Sequence, residues 1–213
     1  MIEKVSMFDT GAGNLHSLGK ALARLLPGVE IEVRTDAIPA AERSRSLLVL
    51  PGVGAFGAAA DRLAPARDAL RGAIQDGLPT IGICLGMQLL FASSEEGPGE
   101  GLGVLEGRVT RLTTPRSPHM GWSRVRPVPS AAWLERSMPD ALYFAHSYAC
   151  RADDASTVLA TAEVPGDAFP VIVRTANAIG CQFHPEKSSA PGLALLGRLI
   201  AEIADVGGAE ARS

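Results

Sequence analysis

Leu78-Pro79-Thr80-Ile81-Gly82-Ile83-Cys84-Leu85-Gly86-Met87-Gln88 is the stretch that decides the fold. Leu78–Ile83 is a short apolar run, the pattern of a strand buried on both faces. A helical pattern, Leu85–Ser93, follows directly, so the chain turns from strand to helix around Cys84. A turn that tight needs small neighbours two positions either side of the central residue. Gly82 and Gly86 supply them, as in the Gly-x-Ser-x-Gly nucleophile elbow with cysteine in place of serine. A helix start favours a thiolate at Cys84, and the Leu85 N–H points to where an oxyanion would develop. From these five residues alone, a packed cysteine in a Gly-rich turn reads equally well, because buried inert cysteines are common.

Upstream, short apolar runs alternate with helical patterns. Ile2–Phe8, Ile31–Val33 and Leu47–Leu50 read as strands. Leu15, Leu18, Leu22 and Leu25 share one helical face, and Ala55–Gln75 reads as a helix that Pro65 divides. This β-α-β-α order predicts an α/β fold with a mainly parallel central sheet flanked by helices. Downstream of the Gly-rich loop Glu95–Gly103, strand patterns dominate: Val104–Leu112, Gly121–Val128, Ala141–Tyr148, Val158–Ala162, Phe169–Arg174 and Ile179–Phe183. Helix Pro191–Ile203 closes the fold. One domain over 1–205 is expected, with 206–213 a flexible tail.

Composition narrows the function classes. The 213 residues are 46% apolar with a net charge of −3, which fits a globular chain and not a basic nucleic-acid binder. Cys84, Cys150 and Cys181 form no disulfide framework and no zinc pattern, so a reducing cytoplasm is the simplest compartment. The N-terminal residues lack the apolar core of a signal peptide, and no run is long enough to cross a membrane.

A cysteine nucleophile needs a base. Of the four histidines, His16, His119, His146 and His184, only His184 has an acid at a useful spacing, in Gln182-Phe183-His184-Pro185-Glu186. Pro185 pushes His184 to extended backbone, and residues two apart in extended chain face the same way. Glu186 can then orient the imidazole. A surface turn is the alternative for His-Pro-Glu alone, but beside the elbow the pattern points to a Cys84–His184–Glu186 triad. Pro51-Gly52-Val53-Gly54 follows strand Leu47–Leu50 and offers backbone N–H groups for a second oxyanion donor. Gly52, Gly54 and Gly57 also spell a dinucleotide pattern, but the next strand ends in Cys84 where that pattern expects an acid. The arginines at 108, 111, 116, 124 and 126 read either as a basic strip or as scattered solvated charge. Trp122 and Trp133 read first as packing residues.

Together these motifs resemble the triad (class I) glutamine amidotransferases, over most of the chain. Four further segments, Asp9–Leu15, Ser94–Gly103, Pro118–Trp122 and Tyr143–Tyr148, narrow the resemblance to the glutaminase subunits of imidazole glycerol phosphate synthase. It implies a flavodoxin-like class I glutamine amidotransferase fold with additional antiparallel strands. It also implies hydrolysis of L-glutamine through a glutamyl thioester on Cys84, with His184 as base and Glu186 orienting it. The oxyanion would be held by Leu85 and by one of Gly52, Val53 and Gly54, and the substrate by Gln88, Ser147 and Tyr148. No metal or cofactor is implied. The ammonia would pass to a cyclase partner, a (β/α)8 barrel, which converts the ribulosyl intermediate PRFAR to imidazole glycerol phosphate and AICAR in histidine biosynthesis. By the same resemblance Asn14, Met120 and Trp122 would lie near the partner interface.

Overall fold

Strands that are apolar on both faces must be covered on both sides, and the intervening helices supply the cover. The computed structural model describes residues 2–11 and 14–210, with side chains to 205. Ala12 and Gly13 of the Asp9–Leu15 motif, and 211–213 of the expected tail, lie outside the described residues. The first half runs β1 (Lys4–Phe8), α1 (Leu15–Leu25), β2 (Glu30–Arg34), α2 (Ala40–Arg43), β3 (Ser46–Leu50), α3 (Phe56–Leu63), α4 (Arg67–Gln75), β4 (Thr80–Ile83) and α5 (Leu85–Gln88). The second half adds β5 (Gly107–Arg111), β6 (His119–Pro127), β7 (Ala141–His146), β8 (Tyr148–Ala152), β9 (Val158–Val164), β10 (Asp167–Arg174), β11 (Ala178–Cys181) and α6 (Ser189–Glu210). Short 3₁₀ turns occupy Pro129–Leu134, Ala155–Thr157 and Pro185–Lys187.

The main sheet has the order β2-β1-β3-β4-β11-β10-β9-β6-β7. Strands β2 through β11 of that order pair in parallel, and the remaining pairings are antiparallel. Side chains alternate across it as the pleat requires. Val5, Met7, Leu47, Val49, Ile81, Ile83 and Ile179 face one core with Leu18 and Leu22 of α1 and Leu195 and Leu199 of α6. Phe8, Leu48 and Leu50 face the other, with Phe56, Leu63, Leu70 and Ile74 of α3 and α4. The first core draws on residues from both sides of the Glu95–Gly103 loop. Strands β5 and β8 form a separate two-stranded ribbon. Arg151 ties it to β10, donating from Nη2 to Asp167 at 2.5 Å and from Nε to Thr110 Oγ1 at 3.0 Å.

Three expectations change. The helix expected over Leu85–Ser93 is the single turn Leu85–Gln88. The carbonyls beyond it are taken by the returning loop: Leu102 N–H donates to Leu89 O at 2.7 Å, Val104 N–H to Leu90 O at 2.9 Å and Gly101 N–H to Ala92 O at 3.0 Å. The expected strand Ala141–Tyr148 is two strands broken at Ser147, because β7 pairs with β6 while β8 leaves to pair with β5. The closing helix extends through Glu210, so part of the expected tail is helical. Pro65 lies between α3 and α4, as its ring requires. The four-residue α2 carries no buried residue and left no apolar periodicity to read.

The elbow depends on two close approaches. A Cβ on Gly86 would overlap the Leu50 carbonyl, and one on Gly82 would lie 2.6 Å from the Gly86 oxygen. Gly72, inside α4, has open space where its Cβ would be. Gly86→Ala should therefore destabilise by about 1–3 kcal/mol through overpacking. Gly72→Ala should stabilise by about 0.5–1 kcal/mol, because alanine suits a helix interior better. Urea unfolding of the two variants checks this, and equal midpoints would contradict it.

Candidate active site

The carboxyl ends of four parallel strands converge at one edge of the sheet, where open α/β sheets collect their ligand sites. β1 leads to Asn14, β3 to Pro51–Gly54, β4 to Cys84, and β11 to Gln182–Glu186. The corner between β7 and β8 brings His146, Ser147 and Tyr148 to the same place. A cavity of about 350 Å³ lies between them, lined among others by Val53, Gly54, Cys84, Leu85, Gln88, Glu96, Ser147, Tyr148 and His184.

Cys84 adopts φ 52° and ψ −106°, a left-handed conformation that costs a non-glycine residue about 1–3 kcal/mol. Its N–H donates to Cys181 O at 2.7 Å, so the strain is held by the neighbouring strand. With α5 only one turn long, the summed helix dipole expected behind the thiol is small. What remains is local: the Leu85 N–H, in the first turn, has no acceptor within the helix. The Pro51–Gly54 loop packs directly on that turn, since a Cβ on Gly52 would lie 2.9 Å from the Gly86 nitrogen. Gly54 alone in that loop has a positive φ, 116°. Gly52 is required instead by close approach.

His184 is buried, and its Nδ1–H donates to Glu186 Oε1 at 2.9 Å. The two are linked as expected, by a different backbone. His184 is extended, but Pro185–Lys187 is a 3₁₀ turn that curls Glu186 back under the ring. The bond at Nδ1 leaves Nε2 free; it is buried without a hydrogen-bond partner. Burial disfavours the imidazolium, but the Cys84 sulfur and the Glu186 carboxylate outweigh it and raise the pKa to about 9. For Glu186, burial is outweighed by His184 and, more weakly, Asn14, which hold its carboxyl below the usual range. Asn14 Nδ2 donates to the same Oε1 at 2.5 Å. Asn14, expected near a partner surface, is part-buried and hydrogen-bonded to Glu186 behind the histidine. Met120 and Trp122 are 64% and 54% exposed on one face of β6, and Met120 also lines the cavity mouth.

Gln182, Glu96 and His146 join the site without having been singled out for it in the sequence. Gln182 is fully buried; its Nε2 donates to Cys84 Sγ at 3.5 Å and its Oε1 accepts from Gln88 Nε2 at 3.3 Å. Gln88 Nε2 also donates to Tyr148 O at 2.9 Å. Both Gln88 N–H groups are engaged, which leaves its oxygen to meet a ligand. The signal for Gln182 was its position two before His184 at a strand end. Glu96 accepts the Phe56 N–H at 2.8 Å and reaches the cavity wall. Its carboxylate sits at the start of α3, where a dinucleotide would need to place its pyrophosphate. The Gly52-x-Gly54-x-x-Gly57 pattern therefore carries no anion site here.

Among the described residues, no group of three or more His, Cys, Asp or Glu side chains is placed to hold a metal ion. No described helix is long and apolar enough to cross a membrane.

Cys150 and Cys181 are buried with their thiols pushed well up, by burial first and by nearby negative charge second. Iodoacetamide should therefore label Cys84 alone, read by peptide mass spectrometry, and Cys84→Ala should abolish labelling. Faster modification of Cys150 or Cys181 would remove Cys84 as the reactive thiol.

The glutamine amidotransferase class-I family model matches residues 6–199. The imidazole glycerol phosphate synthase subunit HisH of Geobacillus thermodenitrificans is 44% identical over 92% of this chain and 94% of that protein. The subunit of the same name from Pyrococcus furiosus is 39% identical over 92% of this chain and 97% of that protein. Among solved structures, a glutamine amidotransferase superimposes with TM-score 0.71 at 22% identity, covering 94% of this chain and 98% of that one. Another, from Thermotoga maritima, gives 0.62 at 18% identity, covering 98% and 94%. Sequence and fold agree with the elbow, the buried His-Glu pair and the shared strand edge: the chain belongs to the class-I glutamine amidotransferase family, in its HisH branch.

Proposed function

We propose that this chain is the glutaminase subunit of an imidazole glycerol phosphate synthase, with Cys84, His184 and Glu186 as its catalytic triad. The observation that carries the reading is the hydrogen-bonded chain Asn14–Glu186–His184, whose imidazole lines the cavity with the elbow thiol and keeps Nε2 free. Glutamine binds in the cavity, its α-amino acid end held by Gln88, Glu96 and the Ser147–Tyr148 backbone. A carboxylate at Glu96 suits an α-ammonium group.

The Cys84 sulfur, having passed its proton to His184 Nε2, attacks the side-chain carboxamide carbon. The C=O π bond opens to an oxyanion, held by the Leu85 N–H and one N–H from Gly52–Gly54. Collapse breaks the C–N bond. His184, which keeps a proton at neutral pH, delivers it from Nε2 to the departing nitrogen, and ammonia leaves. A water then loses its proton to His184 Nε2 and adds to the thioester. C–S cleavage gives glutamate and returns the proton and thiolate to their starting places. The net reaction is glutamine plus water to glutamate plus ammonia. The ammonia serves a (β/α)8 cyclase partner, which uses it to convert PRFAR to imidazole glycerol phosphate and AICAR. The exposed Met120, at the cavity mouth, and Trp122, on the same face of β6, are the surface for that partner, and the reaction belongs in the cytoplasm.

Two outcomes follow. Glu186→Gln should lower kcat by about 10²-fold or more. It also removes one of the groups that raise the His184 pKa, so the alkaline limb of kcat/KM, near pH 9 in the parent, should move to lower pH. A limb that stays put would take Glu186 out of the triad. Second, glutamate release should rise strongly only when the histidine-pathway cyclase and its substrate are both present. Stimulation by an anthranilate synthase subunit instead would refute the pathway assignment.

A further inference from the structure

His146 sits at the end of β7, one residue before the corner where the chain leaves the main sheet for the β5–β8 ribbon. It is buried and lines the cavity. Its Nδ1–H donates to Tyr148 O at 2.8 Å, the carbonyl that also accepts from Gln88 Nε2 at 2.9 Å. Ser147, between them, is held through its own carbonyl by the Leu112 N–H at 2.9 Å. The ring packs edge-on to Phe169, with centroids 4.9 Å apart, and against Phe144 and His119 at 5.8 and 5.5 Å. Nε2 is buried and has no partner.

That environment suits a neutral ring. Burial outweighs the hydrogen bond to Tyr148 and lowers the pKa to about 4, and the nearby His119, His184 and Arg151 push the same way as burial. A carbonyl can only accept, so the single ring proton of the neutral form must sit on Nδ1. Phenylalanine would satisfy the aromatic packing and leave no orphaned nitrogen. A histidine retained there, with Nε2 unpaired at a cost, makes sense through the one thing phenylalanine lacks, the Nδ1 donor.

We propose that His146 is a positioning residue for the substrate: with Gln88 it pins the Tyr148 carbonyl and so fixes the Ser147–Tyr148 corner that faces glutamine. This rests on the glutaminase reading above. His146 contacts neither Cys84 nor His184 by hydrogen bond, so it acts on substrate binding and leaves the bond-breaking groups in place.

The test crosses donor against packing. His146→Phe keeps an aromatic ring and loses the donor; His146→Asn loses the ring and keeps an N–H near the Nδ1 position. The Phe variant should raise KM for glutamine about 10-fold or more, with kcat and the iodoacetamide rate at Cys84 within about 3-fold of the parent. The Asn variant should recover most of the KM. A Phe variant with parental KM, or an Asn variant as impaired as the Phe one, would overturn the proposal. If the Phe variant does not fold, His146→Gln, whose amide reaches the Nε2 position, replaces it with the same expectations. A diazoketone analogue of glutamine separates the underlying reading: failure to label Cys84 in the unmodified chain would sink the glutaminase reading itself, before any variant is compared.

Discussion

The contact between Gly86 and the Leu50 carbonyl is the constraint on which the site rests. It lets the turn after β4 lie flat against the end of β3, and a side chain there would lift it away. Lying flat, the turn forces Cys84 to φ 52° and presents the thiol to the cavity. The strain is sustainable because β4 is central, hydrogen-bonded to β3 on one side and β11 on the other. The same parallel pairing sets Ile83 beside Cys181, which brings Gln182 and His184 to the thiol by simple continuation of the strand. The thiol and the imidazole are therefore placed by sheet register, and neither depends on a long loop.

Electrostatics complete what the register begins. Taking the His184–Glu186 pair out of water is costly, and it is offset by good geometry at both ends. Glu186 Oε1 receives donors from His184 and Asn14, and the nearby Cys84 sulfur also favours the charged ring. The result is an imidazole whose pKa is raised to about 9, as the proposed proton transfer to the leaving nitrogen requires. Asn14 stands at the head of α1, and its amide donates to the Glu186 carboxylate.

Much of the architecture was legible because it is periodic. Leu47–Leu50 and Leu78–Ile83 announce two-sided burial, and α1 shows its face at helical spacing. Legibility failed where distant chain competes for the backbone. Nothing within Leu85–Ser93 says that its carbonyls will be taken by Gly101–Val104, and nothing within Ala141–Tyr148 says that the partner strand changes at Ser147. The site divides the same way. Cys84 was legible from the glycines around it, and the His184–Glu186 link from a proline between them, although a 3₁₀ turn and not extended chain makes that link.

The sequence by itself determined the local devices: an elbow that only glycines allow, a histidine and an acid two residues apart, and strands that must be covered on both faces. These follow from sterics and spacing within a few residues. Only the tertiary structure decided that Gln182 meets Cys84 across 98 residues of chain and Glu96 caps α3 across 40. It likewise decided that Asn14 reaches Glu186 across 172. Those contacts depend on which strand lies beside which, and strand order is a property of the whole packed sheet that no local pattern encodes.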